Sequence, residues 1–114
     1  PSVNFTDVQA ASVSSTFTGW KTFGGKKYYY KNGKKLTDLH KIGKYYYCFA
    51  ADGTMLTGWH RIHNRFRYFG KQTGRMRINQ TVNRRKINSK GVWTPVILLL
   101  LPVAMNLLGL IPAS

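Results

Sequence analysis

Trp20 and Trp59 each follow a glycine, and each is succeeded along the chain by aromatic residues set among Lys and Arg. After Trp20 comes Tyr28-Tyr29-Tyr30. After Leu39 comes Tyr45-Tyr46-Tyr47, and after Trp59 come Phe66 and Tyr68-Phe69. Flat rings stack on sugar faces or surround a quaternary ammonium group, and flanking guanidinium and ammonium groups hold phosphates. The chemistry these residues point to is recognition rather than bond-making.

Catalysis has little material to work with. There is no glutamate, and the three aspartates are dispersed: Asp52 suits a turn, Asp38 takes the place of a repeat's glycine, and Asp7 lies near the start. Glycoside hydrolysis needs two carboxylates poised across one bond. His60 and His63 fall on opposite faces of a strand, so we expect no metal site, no cofactor and no catalytic residue. Cys48 is the single cysteine, which rules out an internal disulfide; inside the run Tyr45 to Phe49 it reads as a small apolar filler.

Charge narrows the partners. The formal net charge is +15, and all 18 Lys and Arg lie between Lys21 and Lys90, with Asp38 and Asp52 the only acids among them. A basic, aromatic-rich block of this kind seeks polyanions: nucleic acid, anionic lipid, or the phosphate-bearing polymers of a bacterial wall.

The elements that must carry these side chains are short β-hairpins. Tyr, Phe, Ile, Val and Thr favour strands, and each aromatic run is closed by a turn signal such as Asn32-Gly33, Asp52-Gly53, Thr73-Gly74 or Lys90-Gly91. Those interruptions leave no window long enough for a stable helix. Four units of roughly twenty residues run from Gly19 to Trp93, the odd ones opened by Gly-Trp, the even ones by Leu39 and Ile78. A single hairpin cannot bury its aromatic face alone, so neighbours must stack. The expected architecture is an all-β solenoid of about four stacked hairpins, many of whose rings pack between units.

Residues 1–18, rich in Ser, Thr, Val and Ala, read as a linker or lead-in, and 19–94 as the repeat module. Residues 95–114 form an apolar tail. Its run Val96 to Ile111 is shorter than the ~20 residues of a spanning helix and is interrupted by Pro102. Three readings of it stay open: a membrane-associating tail, a segment folded on the repeats, or read-through past the natural end. The start at Pro1 without methionine leads us to expect a fragment or a processed product.

Gly-Trp, a spacer, Gly-Lys, an aromatic triplet, a turn, then Gly-x-Met-x-Thr-Gly-Trp resembles the Gram-positive cell-wall-binding repeats, relatives of the choline-binding and glucan-binding repeats of wall hydrolases and surface proteins. The best copy is Asp52-Gly53-Thr54-Met55-Leu56-Thr57-Gly58-Trp59, and Asn88-Ser89-Lys90-Gly91-Val92-Trp93-Thr94 looks like the end of such an array. The resemblance covers about Gly19 to Thr94. It implies ligand sites formed by aromatics of adjacent units, with Trp20, Tyr29, Tyr46, Trp59 and Tyr68 carried over by position. Lys44, Arg61, Arg65 and Arg67 are the cations expected to contact a polyanion. Leu39 and Ile78 depart from the pattern by replacing tryptophan, and Arg85-Lys86-Ile87 replaces the last aromatic slot. With rings missing from the cages, the positive charge favours an anionic teichoic-type polymer or the wall glycan over choline.

The function expected is a non-catalytic module that attaches a secreted, cell-surface protein, such as a wall hydrolase whose catalytic domain lies upstream, to its wall polymer. The alternatives are a single-stranded nucleic-acid binder, which carries no recognisable motif, and a membrane-active cationic protein working through residues 96–111.

Overall fold

A computed structural model describes residues 13–95; the expectations for residues 1–12 and for the tail from Val96 onward lie outside the described residues. The described chain is all-β and contains no helix, so none of its elements is a helix long and apolar enough to cross a membrane. Nine strands form in chain order: β1 (Gly19–Phe23), β2 (Lys26–Lys31), β3 (Lys34–Lys35), β4 (Asp38–Ile42), β5 (Tyr45–Phe49), β6 (Gly58–Ile62), β7 (Arg65–Phe69), β8 (Gln80–Val82) and β9 (Arg85–Ile87). They pair as β1-β2-β3, β4-β5, β6-β7 and β8-β9, which bears out the expectation of about four short hairpins.

The turns within these hairpins fall elsewhere than the Asn-Gly and Asp-Gly signals suggest. Each hairpin closes through two residues: Gly24-Gly25, Gly43-Lys44, His63-Asn64 and Asn83-Arg84. His63, Asn64, Asn83 and Arg84 all adopt positive φ, between 51° and 63°. Positive φ at both central residues matches the twist of the flanking strands, and that fit offsets the cost for side-chain-bearing residues. Asn32-Gly33 joins β2 to β3, whereas Gly53, Gly74 and Gly91 bend the segments that leave a hairpin.

Those departing segments follow one rule of hydrogen bonding. The backbone N–H of Met55 donates to Lys27 O (2.8 Å), that of Met76 to Tyr46 O (2.8 Å) and that of Trp93 to Phe66 O (2.9 Å). Each acceptor is the second residue of the returning strand of its hairpin. A connector would otherwise leave buried backbone groups unpaired, so these bonds hold successive elements together at fixed register.

The chain forms two compact units. The first comprises the described residues up to Gly58 together with Phe69–Met76; the second comprises Trp59–Tyr68 and the residues from Arg77 on. In the first unit the core is Tyr30, Tyr47, Cys48, Phe49 and Phe69, and in the second it is Ile87. A core this small makes every ring contact count. Of the residues read as a lead-in, Phe17 lies against the first hairpin: its ring is 6.1 Å from that of Tyr30, and its carbonyl accepts the Gly33 N–H at 2.8 Å.

Counting outward from each turn aligns the hairpins. Trp20 pairs directly with Tyr29, and Leu39 pairs with Cys48. In the last hairpin the position equivalent to Trp20 is Asn79, whose N–H donates to Asn88 O at 3.0 Å, rather than Ile78. Asp38 takes the place of Gly19 at φ 72°, a conformation that Asp tolerates better than most residues.

Candidate aromatic binding site

The first unit contains the more open site. β1 and β2 set Trp20 across from Tyr29, with ring centroids 5.1 Å apart at 79°. From the second hairpin, Tyr47 approaches Trp20 at 4.9 Å and 70°, and Phe49 at 5.9 Å and 46°. Edge-on geometry places the positive rim of one ring against the negative face of the next. Trp20 nonetheless remains 39% exposed.

That exposed side opens into a cavity of about 260 Å³ lined by Trp20, Lys27, Tyr47, Met55, Gln72, Thr73 and Arg75. Met55 reaches this position because residue 74 is glycine. Gly74 has φ 76°, and a Cβ there would collide with the Met55 thioether. Two rings and a thioether give one wall an apolar, polarisable surface, while Lys27 and Arg75 place two cations at the same opening. The Arg75 guanidinium is steadied over the Tyr45 ring, 4.0 Å from its centroid.

In the second unit Trp59 lies 5.1 Å from Tyr68 and 5.7 Å from Trp93, and Phe66 lies 5.5 Å from Trp93. The Trp59 indole N–H donates to Asn83 Oδ1 at 3.3 Å.

Among the ring positions inferred from sequence, the structure brings Trp20 together with Tyr29, and Trp59 together with Tyr68. Tyr46 stands apart from both pairs: it faces Lys41 across the strands, is 42% exposed, and has the Lys41 Nζ 5.9 Å from its ring centroid. Lys44 is an exposed turn residue. Arg61 lies 5.8 Å from the Phe66 ring, Arg65 donates to Asn64 O at 3.2 Å, and Arg67 donates to Lys90 O at 3.0 Å. Sequence reasoning missed Tyr47, Met55 and Arg75 as neighbours of one opening. The signal available for Tyr47 was its offset from the Gly43-Lys44 turn.

The Asp52 carboxyl is held below its ordinary value by the Thr54 side chain and then by the Thr54 backbone N–H, with Lys26 and Lys35 adding to the effect. The N–H bond, at 2.9 Å, has full hydrogen-bond geometry, whereas the Thr54 hydroxyl has no partner that meets it. Asp52 thereby shapes a turn, as its position in the sequence suggests.

Residues 36–80 match the family model of the choline-binding repeat. Among solved structures, choline binding protein F from Streptococcus pneumoniae is 30% identical over 69% of this chain and 27% of its own, with a TM-score of 0.64. A further structure of that protein was determined in the presence of a peptidoglycan analogue, a tetrasaccharide-pentapeptide. CbpJ from Streptococcus pneumoniae TIGR4 is 31% identical over 68% of this chain and 27% of its own, again at 0.64. The choline binding domain of Spr1274 from the same organism shares the fold at 23% identity, covering 69% of this chain and 96% of that domain, with a TM-score of 0.64. The chain thus spans about a quarter of the length of the first two. A comparison with curated protein sequences finds no match. The match over residues 36–80 and these structures make the repeat block similar to the cell-wall-binding repeats of the choline-binding kind, which are non-catalytic binding modules.

Proposed function

We propose that residues 19–94 form a wall-attachment module of a longer secreted, cell-surface protein, and that its ligand is a wall polymer bearing quaternary ammonium groups next to phosphates. The observation that carries this reading is the cavity in which Trp20, Tyr47 and Met55 share an opening with Lys27 and Arg75. A trimethylammonium group suits the ring faces, but two nearby cations disfavour a bare cation. A phosphate on the same ligand turns that repulsion into attraction. Teichoic-type polymers that carry phosphocholine combine both groups. The expectation of an anionic wall polymer and the likeness to choline-binding repeats then describe one ligand. Weak single contacts become firm attachment when a repetitive polymer engages several of them.

Calorimetric titration with choline and with phosphocholine, at low and matched ionic strength, tests this. Phosphocholine should bind about ten-fold more tightly or better, and Arg75→Ala should remove most of that preference while leaving choline binding in place. Equal affinity for the two ligands in the unmodified protein, or no saturable binding of either, refutes the reading.

A further inference from the structure

We propose that Arg85 is a built-in occupant of the second aromatic cluster, closing it to the quaternary ammonium groups that the first unit accepts. The Arg85 Cζ lies 4.9 Å from the Trp93 ring centroid and 5.4 Å from that of Trp59, so one guanidinium stands over both indoles. These two rings, 5.7 Å apart at 61°, are the pair that would otherwise flank a bound cation. In the first unit, by contrast, the cations Lys27 and Arg75 line the opening beside Trp20, and the Arg75 guanidinium stands over the Tyr45 ring.

Three features keep the guanidinium in place. β9 begins at Arg85, immediately after the Asn83-Arg84 turn, so its backbone is fixed by the hairpin. The same turn is tied to the cluster by Asn83, which accepts the Trp59 indole N–H. The described residues of the second unit include no carboxylate, the only described acids being Asp38 and Asp52 of the first, so no ion pair within the unit competes with the rings for Arg85. Guanidinium is weakly hydrated and planar, which suits it to stacking more than an ammonium group.

A free cation must therefore displace a tethered one whose effective concentration is on the order of millimolar or higher. The two units then differ in ligand class although each contains a tryptophan paired with a tyrosine, Trp20 with Tyr29 and Trp59 with Tyr68. This inference rests on the reading of the rings as ligand walls, and the experiment separates the two claims by reporting on each tryptophan individually.

Protein carrying 15N-labelled tryptophan is titrated with choline chloride at constant ionic strength while the three indole N–H signals are followed. In the unmodified protein the Trp59 and Trp93 signals should not move at choline concentrations that saturate Trp20. In Arg85→Ala, and in Arg85→Gln as a longer neutral control, both signals should gain saturable shifts, with affinity within about ten-fold of Trp20. Arg85 is exposed, and Trp59 and Trp93 indole signals that stay sharp and dispersed before choline is added verify that the second unit of each variant is folded. Saturable movement of Trp59 and Trp93 in the unmodified protein overturns the proposal, as does their silence in both folded variants. Silence of Trp20 alone counts against the proposed function and leaves the role of Arg85 standing on the other two signals.

Discussion

The indole of Trp20, on the first hairpin, stands edge-on to the Tyr47 ring of the second, with centroids 4.9 Å apart and planes at 70°. Trp20 also pairs across its own hairpin with Tyr29, so one ring joins two hairpins and at the same time walls the cavity. Folding of the first unit and access to its site therefore share a residue.

Replacing that ring should show both effects. Trp20→Ala removes three ring contacts and should cost about 2 kcal/mol, less than a fully buried tryptophan because the side chain is part-exposed. Trp20→Phe should recover about half of that loss. Urea unfolding gives the stabilities, and choline titration of the folded variants gives the binding.

Gly74 is required on two counts, its positive φ and the closeness of Met55. Gly74→Ala should cost about 2 kcal/mol and displace Met55 from the cavity, weakening ligand binding. Gly43→Ala, at φ 64° with open space around it, should cost only about 1 kcal/mol and leave binding unchanged. A larger loss from Gly43→Ala than from Gly74→Ala would contradict the packing account.

Attachment to phosphate-bearing wall polymer should weaken steadily as salt rises between about 0.05 M and 0.5 M, because exposed cations are screened within about a Debye length. Lys27→Ala should flatten that salt dependence while leaving choline binding intact or somewhat tighter, since one repelling cation is removed from the opening. Retention on purified walls across a salt series measures this.

The depressed carboxyl of Asp52 makes a pH prediction with a definite sign. A group whose folded pKa lies below its ordinary 3.8 adds stability that is complete above that value and is lost as pH falls through the lower, folded one. Asp52→Ala should thus be destabilised relative to the unmodified protein at neutral pH, with the gap narrowing once pH drops below 3.8. Thermal melts from neutral to strongly acidic pH would show it; a gap that widens toward acid would count against the assignment.

Cys48 is 1% exposed in the core of the first unit. Its thiol should react with an aromatic disulfide reagent only as fast as the unit opens, and mild urea below the unfolding midpoint should accelerate labelling in step with the fall in stability. Rapid labelling in native buffer would mean that this part of the core is open.

Short strands, hairpins repeating about four times and rings set among cations were legible from the residues themselves, because turn chemistry and strand preference act over a few neighbours. Asp38 could likewise be read as standing in for a glycine, and it adopts the φ that the position demands. Three things depended on the folded chain: that Tyr47 and not Tyr46 meets Trp20, that Met55 and Arg75 come to the same opening, and that Arg85 lies across Trp59 and Trp93. The face a strand residue occupies is set by its count from the turn, and a shift of one reverses it. The turns at His63-Asn64 and Asn83-Arg84 carry no glycine to announce them. Contacts between residues from different hairpins follow from how connectors such as the one ending at Met55 bond back to an earlier strand, a long-range register that no local pattern encodes.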